Sequence, residues 1–341
     1  MTQQTLSPTV FPSQDIGSIL EPIKGELELV EKWLVSNLVD DSQFVEELLS
    51  QVFKAGGKRI RPALCLLSAK ATAPANREFS RLQIILAVLT ELIHTASLVH
   101  DDVIDAASLR RGQETVNRKW SDKLAVLIGD LLFAQASVCL ARLMNPEIVG
   151  IYGQVLGDLC AGEIRQMRAQ FVTNLSWEAY IQKSVWKTAS LIAAGTHSAP
   201  ILNAQSMEVV AGMKEYGLNL GICFQIVDDL LDYTQTSSTL GKPAGSDLAQ
   251  GVVTAPALFV LERKDDAAVR LEAIIKTRAV STPEGVEEAL SIIRNNGGID
   301  ATVELARSYA QKARQALCVV EPSIYRDSLD AMIDWLLMRT K

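Results

Sequence analysis

The sequence predicts an all-α protein, on three observations. Apolar residues recur three and four positions apart through almost the whole chain. No stretch alternates apolar and polar residues with period two, so few or no strands are expected. Between the periodic segments stand helix starters and breakers rather than hairpin turns.

The spacing predicts helices over 16–38, 43–55 and 59–72. The break Ala73-Pro74-Ala75-Asn76 ends the third of these, and the long segments 78–105 and 121–143 follow. Asn145-Pro146 opens 146–169, and Asn174-Leu175-Ser176 precedes 177–198, which Pro200 is expected to close. The segment 206–235 runs to the turn Gly241-Lys242-Pro243. Helices 250–263, 283–296, 300–319 and 324–339 complete the pattern, with Ser281-Thr282-Pro283 and Asn295-Asn296-Gly297-Gly298 as punctuation. No linker-like tract divides the chain after residue 16, so one all-α domain over 16–341 is expected. The first 15 residues, Met1 to Asp15, are rich in Thr, Gln, Ser and Pro and read as a disordered lead-in.

Of 341 residues 48% are hydrophobic, ample for a buried core. The net charge of −7 argues against nucleic acid as the main partner. No uninterrupted apolar run reaches the ~20 residues of a membrane span, so no transmembrane segment is expected, though a lipophilic product would allow loose membrane association. The lead-in holds no arginine, the first being Arg59, and no apolar core, so neither a transit peptide nor secretion is expected. Five scattered cysteines, four in apolar surroundings, suggest buried thiols in a reducing compartment, hence a cytoplasmic protein.

Two aspartate clusters of one design close long apolar runs: Asp101-Asp102-Val103-Ile104-Asp105 and Asp228-Asp229-Leu230-Leu231-Asp232. On a helix, positions four apart share a face, which pairs Asp101 with Asp105 and Asp228 with Asp232. Two carboxylates ~6 Å apart repel by roughly 3 kcal/mol at an effective dielectric of 20. Carboxylates are also disfavoured at helix C-termini. One such cluster alone would read as a solvated helix end. Two copies with basic partners point to a site for Mg²⁺ and a diphosphate, since Mg²⁺ typically takes one or two carboxylates, waters and substrate phosphates.

The basic partners fall in three groups. In Gly56-Gly57-Lys58-Arg59-Ile60-Arg61-Pro62, Lys58 and Arg61 project from one side of a first helical turn. Arg110-Arg111 follow the first cluster, and Lys183, Lys187, Thr188 and Lys242 make the third group. His94, seven residues before Asp101, is either a satisfied core residue or a diphosphate contact. His100 and His197 read as structural. No Ser-His-Asp or Cys-His arrangement suggests covalent catalysis.

The ordered set Gly57-Lys58-Arg59-Ile60-Arg61-Pro62, the first aspartate motif with Arg110-Arg111-Gly112, Gly129-Asp130, Lys187-Thr188, Gln225 with the second aspartate motif, Gly241-Lys242 and Gly245-Ser246-Asp247 resembles the trans-isoprenyl diphosphate synthase family. The resemblance spans residues ~50 to 255. It implies a bundle of long antiparallel helices around a central cavity, a homodimer, and three Mg²⁺ ions bound with the substrate diphosphate. It implies that Asp101, Asp105, Asp228 and Asp232 serve the metal, with Asp102 and Asp229 assisting. Arg110, Lys187, Thr188, Gln225 and Lys242 would line the allylic diphosphate, and Lys58, Arg61, His94 and Arg111 would hold isopentenyl diphosphate. The reaction implied is repeated condensation of the two substrates, by ionisation of the allylic C–O bond, attack of the isopentenyl double bond and loss of a proton. The family pattern gives no account of Val252 and Val253, and the polar loop 236–250 could close as a lid.

Product length is read from side-chain size. The growing tail should descend the first aspartate helix, where Ser97 lies ~6 Å and Ala96 ~7.5 Å below Asp101. Short-chain members of the family tend to place aromatics there; here both residues are small. Ile93, Leu92 and Leu89, or Leu132 and Phe133 of the next helix, become the candidate floor. A product in the octaprenyl-to-solanesyl range follows, suited to a quinone side chain; a geranylgeranyl-type product is the competing expectation. A non-catalytic partner subunit would typically have lost part of the motif set, which is complete here. A terpene cyclase would not need Lys58 and Arg61.

Overall fold

The computed structural model describes residues 15–36, 43–54, 57–74, 80–110, 112–234 and 244–339. The lead-in 1–14, Arg111 and Lys242 lie outside the described residues. Helices dominate, and the sole described sheet is a two-residue ribbon in which Leu109–Arg110 pairs antiparallel with Gln113–Glu114.

Helix starts follow local chemistry. The first aspartate helix, Arg81–Ile104, begins at Ser80, whose hydroxyl accepts from Leu82 N–H. Ser121 caps Asp122–Arg142 in the same way. Asn145 caps Pro146–Arg168 with proline at its first position. Thr282 and Ser323 cap Pro283–Asn295 and Ile324–Leu337.

Burial explains why the first aspartate helix is apolar on every side. Eleven consecutive residues, Gln83 to Ile93, are buried. The neighbours that cover it are Ile60–Ala71, Asp122–Arg142 and Ser190–Leu202. The second aspartate helix, Met207–Thr234, packs on Ser190–Leu202 and on Gly298–Ala316. One connected apolar core runs from Ile19 to Leu336.

Three local readings are corrected. A helix at Asp266–Lys276, capped by Asp265, was not expected, because its periodic stretch is short and flanked by charge. Pro200 does not end its helix, which continues to Leu202. Three cysteines, not four, are buried: Cys65, Cys139 and Cys223, while Cys160 and Cys318 face outward. Arg81–Ile104 and Asp122–Arg142 have the length and mean hydropathy of membrane spans, a test that buried core helices also pass. The first is a buried core helix. The second has only 33% of its apolar window covered.

Candidate active site

Each aspartate cluster sorts its carboxylates by their partners. Asp102 is buried and accepts a two-pronged bond from Arg110, Nε to Oδ1 at 2.8 Å and Nη2 to Oδ1 at 2.8 Å, with Nε also 3.0 Å from Oδ2. Burial raises its pKa, against the pull of Arg110. The ribbon is what returns Arg110 to the helix end it has just left. Asp229, in the equivalent place of the second cluster, is also buried; it accepts from Tyr180 Oη at 2.7 Å and Gln225 Nε2 at 2.7 Å. The middle member of each trio is therefore committed to protein bonds.

The outer members differ. Asp101 is half-buried and Asp105 exposed. Burial lifts the Asp101 carboxyl to about 6; the charge of Lys187 opposes the shift, while Glu163 and Asp105 add to it. Asp228 pairs with Arg339 Nη1 at 2.6 Å. Asp232 is buried, and its two oxygens accept from Ser246 Oγ at 2.9 Å and Asp247 N–H at 3.0 Å. A left-handed Gly245 (φ 72°) makes that turn.

One segment joins the two clusters. Helix Trp177–Ser184 passes into a wide π turn, Val185–Ala189, before continuing as Ser190–Leu202. Such turns are rare and often functional. Lys187 reaches Gln166 Oε1 at 3.3 Å and Glu163 at 3.7 Å, within the field of Asp101. Its neighbour Thr188 donates to Gln225 Oε1 at 2.6 Å, and Gln225 in turn holds Asp229. The turn comes so close because the facing helix carries Gly221, where an added Cβ would stand 2.5 Å from Ala189 Cα.

The group at Lys58 and Arg61 also reaches both aspartate helices. Arg61 donates to His94 Nε2 at 2.9 Å, so that nitrogen accepts and the ring proton sits on Nδ1. The Arg61 guanidinium lies 6.0 Å from the Phe224 ring, and Arg339 lies 4.7 Å from the same ring. Lys58 Nζ stands 4.9 Å from the Trp335 ring. Residues that sequence reasoning missed are thus Glu163, Gln166, Tyr180, Phe224, Trp335 and Arg339. Glu163 and Gln166, three apart on one helix face, carried a faint signal; Arg339, near the chain end, carried none. Val252 and Val253 now have a place: they line a cavity with Gln166, Lys183 and Trp186.

The chain-length candidates lie on the same helix below Asp101. Ala96 and Ile93 are fully buried, and Ser97 is half-buried with its hydroxyl returned to His94 C=O at 2.9 Å. Phe133, half-buried on the adjacent helix, stands 5.6 Å from the His100 ring. His100 fits between the helices because residue 129 is glycine; a Cβ there would meet its ring at 2.1 Å.

The donor set suits a hard dication arriving with a diphosphate. Among the described residues no three His, Cys, Asp or Glu close into a metal cage. The oxygens of Asp101, Asp105 and Asp228 would hold Mg²⁺ in the manner usual for that ion, by few carboxylates with phosphate and water completing the shell.

The polyprenyl synthetase family model matches residues 42–293. The chain is 42% identical over 322 residues to a prenyl transferase of Synechocystis sp., covering 94% of this chain and 98% of that protein. It is 40% identical over 326 residues to a chloroplastic solanesyl diphosphate synthase of Arabidopsis thaliana, covering 95% and 77% respectively. A polyprenyl synthase from Caulobacter crescentus, solved with calcium and isoprenyl diphosphate, superposes with a TM-score of 0.89 at 30% identity over 97% of this chain and 100% of that one. The match over residues 42–293, with two aspartate trios drawn to one π turn, places the chain in the polyprenyl synthetase family.

Proposed function

We propose that this enzyme condenses isopentenyl diphosphate repeatedly with an allylic diphosphate, giving an all-trans product in the octaprenyl-to-solanesyl range for a quinone side chain. The observation that carries the reading is the bridge from Asp101 through Lys187 and Thr188 to Gln225 and Asp229, which faces the two carboxylate groups across one basic strip. The long product is supported by the small Ala96 and Ser97 and by the solanesyl synthase relatives.

Asp101, Asp105 and Asp228 are the metal ligands in this reading, and Asp232 stands behind them, holding the turn at 245–247. Mg²⁺, bound with the substrate, supplies electrophilic stabilisation of the departing diphosphate. Arg110, Lys187 and Thr188 orient the allylic diphosphate and take up the charge it gains as the C–O bond ionises. Asp102 fixes Arg110 for that task, and Gln225 fixes Thr188. Lys242 and Arg111, by their place in the sequence motifs, extend the two diphosphate sites. Lys58, Arg61 and His94 hold isopentenyl diphosphate with its double bond toward the allylic carbon. The proton lost in each round leaves with the released diphosphate. Apolar side chains keep water from the cation.

A homodimer is part of the proposal. The helices Asp122–Arg142 and Pro146–Arg168 expose Val126, Leu127, Val138, Ile164 and Met167, an apolar surface that a second copy would cover. Five free thiols support a reducing, cytoplasmic setting.

A shorter, geranylgeranyl-type product has one observation in its favour. Tyr152 is fully buried with its hydroxyl 2.5 Å from Thr90 Oγ1. Thr90 is on the Asp101 and Ser97 face, ~16 Å below Asp101. A long tail would have to turn aside there.

Incubation of the purified protein with labelled isopentenyl diphosphate, an allylic primer and Mg²⁺, followed by product sizing, tests both readings. Prenyl alcohols of eight or nine units after dephosphorylation are expected; four units would establish the shorter product, and no extension would overturn the activity. In the same assay Ala96→Phe or Ser97→Phe should shift products to markedly shorter chains. An unchanged distribution would mean that the tail does not pass these positions.

A further inference from the structure

Arg59 stands between two residues assigned to the isopentenyl diphosphate pocket and lines one cavity with His94, yet its guanidinium is spent on protein partners. Its backbone is left-handed (φ 48°, ψ 40°) at the cap of helix Ile60–Ala71, a conformation that glycine adopts readily and arginine does not. Its C=O accepts the first helical bond, from Ala63 N–H at 3.0 Å. The strained turn is what sends Lys58 toward Trp335 and Arg61 toward His94.

What holds the turn is the Arg59 side chain. Nε donates to Glu31 at 2.6 Å, Nη1 to Glu91 at 2.7 Å and Nη2 to Phe53 C=O at 3.3 Å. Three helices, Lys24–Ser36, Gln43–Lys54 and Arg81–Ile104, are thereby tied to one guanidinium. Its side chain is 12% exposed and that of Glu91 6%, so the pair is shielded from competing water. Burial opposes the arginine charge, but Glu91 and Glu31 together outweigh it and hold the pKa above the usual value. Glu91 also lies three residues before His94 on the same helix, so a single ion pair sets Arg61 and His94 against each other.

We infer that Arg59 is a positioning residue for the isopentenyl diphosphate pocket, its clamp on Glu91 and Glu31 holding the turn that aims Lys58 and Arg61 at one anion. This rests on the pocket assignment proposed above. Arg59's three bonds end on Glu31, Glu91 and Phe53, none of them a residue assigned to the allylic diphosphate, so the loss of the clamp should be felt first in one substrate.

Steady-state kinetics of the full chain with Mg²⁺ separate the possibilities. Arg59→Gly keeps the backbone conformation accessible and removes the guanidinium; Glu91→Gln keeps the shape and removes the charge. Each should raise KM for isopentenyl diphosphate by about tenfold, with kcat and KM for the allylic primer changed by less than about threefold. The double variant should be no worse than the poorer single one, because both remove the same contact. Should Arg59→Gly or Glu91→Gln fail to fold, Glu31→Gln, at the half-exposed end of the clamp, is expected to raise the same KM by about threefold. A folded variant with unaltered KM for isopentenyl diphosphate, or a parallel rise in both KM values, would overturn the positioning role. Lys58→Ala distinguishes the two levels. If it too leaves that KM unaltered, the pocket assignment itself fails; if it raises KM while the clamp variants do not, the clamp inference alone fails.

Discussion

Asp101→Asn should lower kcat by on the order of 10³-fold, since the proposed reading makes Asp101 a charged oxygen ligand where diphosphate charge develops. The same substitution should stabilise the ligand-free protein. Burial holds the Asp101 carboxyl at about 6 in the fold, against an unfolded value near ~3.9. The native state therefore prefers the protonated acid, and ionising it carries a penalty that is absent below about pH 4 and complete above about pH 6. Asn carries no such cost. Melting curves without metal or substrate should show the variant above the parent at pH 7 and the two converging near pH 4. An activity loss with a lower melting temperature at pH 7 would mean that Asp101 is held by a stabilising partner rather than poised for a cation.

Gly221→Leu should damage fold and function together. An added Cβ would stand 2.5 Å from Ala189 Cα and 2.7 Å from Ala189 Cβ, both rigid parts of the opposing chain. Neither can rotate away, so the helix Met207–Thr234 must shift off the π turn. Overpacking of this kind typically costs about 1–3 kcal/mol, and the upper end is expected because backbone is involved. The shift also pulls Gln225 from Thr188, now 2.6 Å away, and with it the registration of the second aspartate cluster against Lys187. Urea denaturation and turnover of the variant should both fall. Gly25→Ala makes the contrast: nothing lies within 4 Å of its added methyl, and a gain of roughly 0.5 kcal/mol is expected from the helix preference alone. Full activity in a folded Gly221→Leu protein would show that the close approach of the π turn is dispensable.

Much of the site could be read from spacing. The two Asp-Asp-x-x-Asp clusters announce themselves because acidic groups at the ends of apolar helices are costly unless something cationic meets them. Lys58 and Arg61 were paired by their three-residue offset, although the helix begins only at Ile60 and leaves Lys58 outside its first turn; His94 joined them through the family resemblance, and the structure ties Arg61 to His94 directly. The division of labour within each trio was not legible. Asp101 and Asp102 are adjacent letters, yet one faces Lys187 and the other is locked to Arg110, because a helix points successive side chains about 100° apart. Likewise Asp232 looks equivalent to Asp105 in sequence, but Gly245 folds a turn onto it and leaves Asp105 exposed. Tyr180, Phe224, Trp335 and Arg339 escaped notice because single aromatic and basic residues carry no periodic signature.

By itself the sequence determined the helical class, the length and order of the major helices, and the chemical type of the ligands, since all of these depend on near neighbours along the chain. Tertiary structure alone decided which distant side chains meet: the π turn seated on Gly221, the clamp of Arg59 on Glu31 and Glu91, and the pairing of Asp228 with Arg339. These contacts join residues from 28 to 111 positions apart. Their geometry is set by how closely whole helices pack, and no local pattern of residues encodes that.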